Sequence, residues 1–122
     1  MVRTFSKAVQ NSLIFALDAG TRDIPHIDGE AKFWVSSSCI VVGCLPDSDG
    51  ETKIVIGTVE HGTPPGSPLV DRLLSTPSRS VVFDLVHERG FHRMPVTEDK
   101  TRVRVWTDGG ITPDTVTFVI GG

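Results

Sequence analysis

The chain has 122 residues, 39% of them hydrophobic and 22% charged, which suits one globular domain over residues 1–122 and excludes a disordered or fibrous chain. Its formal net charge is −3, so no basic excess is present to neutralise phosphates, and nucleic-acid binding is not expected. No apolar run approaches the roughly 18 residues of a membrane span, and Gln10, Asn11 and Ser12 interrupt any leader-like stretch, so a cytoplasmic protein without membrane contact is expected.

In chain order, residues 4–11 suit helix or strand equally, and the short apolar run Ser12 to Asp18 reads as a strand. Residues 18–30 (DAGTRDIPHIDGE) form an acidic loop. Lys32 to Leu45 is rich in β-branched and aromatic residues, and Thr52 to Glu60 alternates with Ile54 and Ile56 on one face. Between them Pro46 to Glu51 supplies turn chemistry, so the two runs predict a β-hairpin. Residues 61–68 hold too many prolines and glycines for a sheet. Leu69 to Leu74 has apolar spacing that suits one helical turn, closed by Pro77. Ser80 to His87 is a strand with Val81, Phe83 and Leu85 facing one way. Arg89-Gly90 reads as a two-residue turn into a short strand ending at Pro95. Thr101 to Thr107 places Val103 and Val105 inward against Arg102, Arg104 and Trp106, and Asp114 to Ile120 closes the pattern with Val116, Phe118 and Ile120 buried. Six to eight strands result, several apolar on both faces. The predicted fold is therefore all-β and mainly antiparallel, a β-sandwich or flattened barrel with at most one short helix.

Candidate chemistry is sparse. Asp47-Ser48-Asp49-Gly50-Glu51 has calcium-loop texture, but the twelfth position of such a loop would be Thr58, inside a strand, and a plain turn is expected. Cys39 and Cys44, placed in one strand, fall on opposite faces about 16 Å apart, so two inert reduced thiols are expected. If Arg89-Gly90 is a hairpin loop, His87 opposes His92 and the pair becomes a weak metal candidate, though Arg89 and Arg93 would repel a cation. In extended backbone His26, Asp28 and Glu30 share one side, a trio able to act as acid and base or to ligate a metal. No Gly-x-Ser-x-Gly elbow and no phosphate-binding glycine loop occurs. No catalytic residue and no cofactor is expected. Asp18, Asp23, Asp28 and Glu30 in the acidic loop, and Arg102, Arg104 and Trp106 on one sheet face, with Arg79 and Arg93 placed on neighbouring strands, are the candidate partner-binding residues.

The runs Ser80-Val-Val-Phe83-Asp84-Leu85, Val103-Arg-Val-Trp106-Thr107-Asp108 and Asp114-Thr-Val-Thr-Phe118-Val-Ile120 give the last third of the chain a likeness to competence protein J, a family of small β-rich inhibitors of a bacterial DNA-entry nuclease, which the chain resembles in order and texture. The resemblance implies a non-catalytic domain that blocks a protein partner such as a nuclease, with the acidic loop as bait for a basic or metal-bearing cleft. Two other readings stand beside it. One is a small metal-dependent or acid/base enzyme using His87 and His92 or His26, Asp28 and Glu30. The other is a structural subunit of a homo-oligomer whose edge strands pair.

Overall fold

The structure, a computed structural model, describes residues 2–122. Among these residues there are ten strands, three single 3-10 turns and no α-helix. The strands are β1 (Arg3–Lys7), β2 (Leu13–Asp18), β3 (Phe33–Val35), β4 (Cys39–Gly43), β5 (Thr52–Thr58), β6 (Val70–Ser75), β7 (Ser80–Leu85), β8 (His92–Pro95), β9 (Lys100–Thr107) and β10 (Thr115–Ile120). They form two five-stranded sheets, ordered β1-β5-β10-β9-β6 and β3-β4-β2-β7-β8. Neither sheet closes into a barrel. The architecture is a β-sandwich, as the alternation of apolar residues requires. β5 and β10 run parallel, with Ile54 beside Val116 and Ile56 beside Phe118; the other pairs are antiparallel.

Burial follows the period of two. Ile14, Ala16, Ile40, Val42, Val81, Phe83 and Leu85 of the second sheet face Ile54, Ile56, Val103, Val105, Val116, Phe118 and Ile120 of the first, and together they form one dry core. Fully burying such side chains stabilises by roughly 1.5–3 kcal/mol each relative to exposure. One flank is closed by aromatic rings. Phe5 of β1 meets Phe91 edge-on at 5.1 Å, and Phe83 meets Phe118 at 5.3 Å. Across the same flank Lys7 reaches Glu88 at 3.0 Å.

Three expectations about local structure are corrected. The run from Lys32 to Leu45 is not one strand. It breaks at Ser36–Ser38, where the Ser36 N–H donates to the Cys39 carbonyl at 2.9 Å, and β3 folds back on β4. The expected hairpin between residues 32–45 and 52–60 does not form either: β4 and β5 belong to opposite sheets. Pro46 starts a 3-10 turn over Asp47–Asp49, and Gly50 at φ 131° lets the chain cross between layers instead of doubling back. Residues 69–74 are not helical. Val70–Ser75 is an edge strand on β9, pairing Val70 with Val105 and Leu74 with Thr101. The spacing of Leu69, Val70, Leu73 and Leu74 fits both periods over so short a run, and the open edge of β9 decides.

A second, smaller cluster lies on the outer face of the second sheet. Leu17, Cys39, Val41 and Val82 point away from the main core, and Leu13, Phe15, Ala19, Ile27 and Trp34 pack onto them. Ile27 belongs to the segment between β2 and β3. That segment, residues 19–31, lies across the sheet as a strap.

Candidate functional site

The strap has no regular secondary structure, so its backbone groups and its path need other anchors. Asp18, at the end of β2, supplies the first. Its side chain is fully buried, one oxygen accepting the N–H groups of Gly20 and Thr21 at 3.1 and 2.8 Å and the other the N–H and hydroxyl of Ser78 at 3.1 and 2.6 Å. Burial, the largest single influence, pushes its pKa up, but the bonds from Ser78 and Thr21 together outweigh it and hold the carboxyl below its usual value. Arg22 supplies the second anchor. Its guanidinium donates to Asp84 at 2.6 Å, and the other oxygen of that buried carboxylate accepts the Gly90 N–H at 2.7 Å. Further along, the Ser36 hydroxyl donates to the Asp23 carbonyl at 2.5 Å and the Trp34 indole N–H to the Asp28 carbonyl at 2.9 Å.

This arrangement divides the candidate acidic residues. Asp18 is a buried hub and presents nothing to a partner. Asp23, Asp28 and Glu30 are exposed on the pinned strap. His26 lies 3.7 Å from Asp28 with both side chains largely in solvent, and no bond joins Glu30 to either. Asp84, which fixes both the strap and the 86–90 turn, escaped the sequence reading. An acidic residue alternating with Val82 on an apolar strand was its available signal.

The two histidines are not opposed. His92 pairs with Phe83 across β7 and β8, while His87 is exposed in the turn. Leu85 and Glu88 exchange backbone bonds at 2.8 and 3.2 Å, and the Phe91 N–H reaches the Phe83 carbonyl. The loop is therefore wider than Arg89-Gly90, because Asp84 holds Gly90 and Phe91 turns inward to Phe5. His92 sits on the core side, its ring 5.5 Å from Phe5 and 5.8 Å from Phe83. Burial there, and then the charge of Arg3, push its pKa down. No group of three or more His, Cys, Asp or Glu among the described residues is disposed to hold a metal ion.

Cys39 and Cys44 are both free and buried, on opposite faces as their spacing implies, although Cys44 lies one residue past β4. Burial raises the Cys39 thiol to about 12 and the Cys44 thiol to about 11, so neither supplies a thiolate near neutral pH.

On the outer face of the first sheet, Arg102 holds Asp71 through two bonds of 2.9 and 2.7 Å. Arg104 lies 5.7 Å over the Trp106 ring. Trp106 is only 7% exposed, its N–H donating to the Gly66 carbonyl at 3.1 Å, so the proline-rich segment 61–68 covers it. Arg79 and Arg93 do not join this face. Arg79 caps the turn beside Thr97, and Arg93 lies on β8 in the other sheet.

Compared with protein-family models, with curated proteins and with solved structures, the chain finds no match. Among the described residues no helix is long and apolar enough to cross a membrane.

Proposed function

We propose that this β-sandwich is a non-catalytic binding or inhibitory domain that occludes the surface of a protein partner, with the strap over residues 19–31 as its contact element. One observation supports the reading above others. The strap is irregular in path yet fixed at Asp18, at Arg22–Asp84 and at the Trp34 and Ser36 bonds, while the carboxylates of Asp23, Asp28 and Glu30 remain in solvent. A loop already held in shape loses little further freedom on binding, so more of its contact energy is expressed as affinity. Three carboxylates on such a loop suit a basic or cation-bearing cleft, the kind of target that the resemblance to competence protein J implies for a nuclease inhibitor.

Pairing of copies through sheet edges is the less favoured reading. β6 carries Arg72 on its core-facing side yet exposed, β1 carries Arg3 and Lys7 around Phe5, and β3 has three residues. Charged and short edges oppose strand addition.

The test is affinity capture with the purified domain and with a variant carrying Asp23→Ala, Asp28→Ala and Glu30→Ala. A partner retained stoichiometrically by the wild type, released by moderate salt and lost by the variant supports the proposal. Equal retention by both proteins refutes the strap as the contact element.

A further inference from the structure

Between the strap and the 86–90 turn, the outer face of the second sheet holds a pocket of about 250 Å³. Phe15, Ile24 and Val86 give it apolar walls, and Arg22, Asp84 and Arg89 give it charge. Ile24 and Val86 are large apolar side chains held 43% and 40% exposed, although this fold buries most residues of their kind. One oxygen of Asp84 accepts from Arg22 and the other from the Gly90 N–H, so the guanidinium balances the charge of that carboxylate. Arg22 keeps N–H groups beyond its bond to Asp84. Arg89 forms no ion pair or side-chain hydrogen bond among the described residues and lies exposed at the rim. The pocket is apolar below and cationic at the edge.

Size narrows the occupant. Pockets that enclose a whole small-molecule ligand run about 300–1,000 Å³, whereas this one suits a single leucine or phenylalanine side chain. Charge narrows it further, because the rim favours carboxylates beside the inserted group. We infer that the pocket is a socket for one apolar side chain carried on an acidic segment of a protein partner, with Arg89 and the outer N–H groups of Arg22 engaging the flanking carboxylates. This deepens the reading of the domain as a protein binder and rests on it. Alternation along the strap makes both features compatible: Arg22 and Ile24 face the socket, while Asp23 turns its carboxylate toward the Ser37 hydroxyl at 3.4 Å. The strap thus presents opposite charge on its two sides. A partner matched to it would carry a basic patch beside an acidic, apolar-tipped segment.

The socket is tested apart from the strap's carboxylates. The probe is a fluorescein-labelled peptide of sequence Glu-Asp-Leu-Asp-Glu, titrated with the domain and followed by anisotropy at low salt. Saturable binding is expected, weakened about tenfold or more by Arg89→Glu and by Val86→Asp, and weakened likewise when the peptide's Leu becomes Ser. The variant carrying Asp23→Ala, Asp28→Ala and Glu30→Ala should bind this peptide at least as tightly as the wild type, which separates failure of the socket from failure of the strap. Both socket substitutions are at exposed positions, and an unchanged near-ultraviolet circular dichroism spectrum checks each fold. Absence of binding to the wild type up to millimolar concentration overturns the inference. So does equal affinity for Arg89→Glu, or for a peptide with Lys in place of its acidic residues.

Discussion

Replacing Asp18 by Ala separates a structural carboxylate from a binding one. The substitution strands four donors: the N–H groups of Gly20, Thr21 and Ser78 and the Ser78 hydroxyl. Hydrogen bonds to a charged acceptor contribute about 1.5–3 kcal/mol each, but donors that water can reach recover part of the loss. Gly20, Thr21 and Ser78 are exposed residues, so about 1 kcal/mol per bond is the appropriate scale, and the total loss over the four bonds should be about 4 kcal/mol. Equilibrium urea unfolding, followed through the fluorescence of Trp34 and Trp106, measures it directly. For a chain of this length the thermal midpoint should fall by about 12–20 °C. The pH dependence supplies a second arm. Because the folded carboxyl titrates below its unfolded value, the unfolded state binds more protons in that interval, and the stability from Asp18 is present above pH about 4 and is lost as pH falls through the folded value. The difference between wild type and Asp18→Ala should therefore narrow from pH 5 to pH 2. A loss under about 1 kcal/mol at pH 7, or a difference that does not change with pH, would show that the four bonds do not form a hub.

Other outcomes follow from the same packing. Phe83→Ala, which removes a ring shared by Phe91, His92 and Phe118, should destabilise by about 3–5 kcal/mol in urea unfolding, and a loss below about 1.5 would mean that the flank collapses onto the cavity. Neither thiol should react with a chromogenic disulfide reagent in the native protein at pH 8, and two should react in denaturant; prompt native labelling would contradict their burial. His92 is lowered by burial and then by Arg3, so the folded state resists its protonation. The stability it shelters is full above pH about 6.5 and declines as pH falls from there toward the folded value. His92→Phe should flatten thermal midpoints between pH 7 and pH 5, and an imidazole that titrates at or above 6.5 by NMR would contradict the placement. Arg102→Ala should leave the urea midpoint almost unchanged, since its pair with Asp71 is exposed, and a large drop would contradict that exposure.

The sandwich was legible because one physical signal, alternation with period two, governs β2, β5, β7, β9 and β10 and names their buried residues. What the sequence left hidden depends on which layer a strand joins. Pro46 to Gly50 has the composition of a hairpin turn whether the chain doubles back or crosses to the facing sheet, and only the open edge of β1 and β10 beside β5 selects the crossing. Ser36 to Ser38 is a run of turn-forming residues, but without glycine or proline the signal is masked by the strand formers on either side of it. The acidic loop was visible as charge, but its division was not. Asp18 alternates with Ala16 in a buried strand and belongs to the interior, whereas Asp23, Asp28 and Glu30 follow the strap. Alternation puts Trp106 on the outer face of β9, yet the segment that covers it comes from residues 61–68, a contact over about forty residues that local pattern does not encode.

The place of β10 has a consequence for how the protein comes into being. This strand lies between β5 and β9, in parallel register with partners about sixty residues earlier in the chain. Until Thr115 to Ile120 arrive, the first sheet is two separate pieces, β1 with β5 and β9 with β6, and the inner rows of both lack their middle. Closing a loop of that length must precede the reward of the contacts it brings, which slows folding. A chain still being synthesised therefore holds an unfinished layer until β10 has emerged, and the apolar rows of both pieces stay open to other chains during that interval.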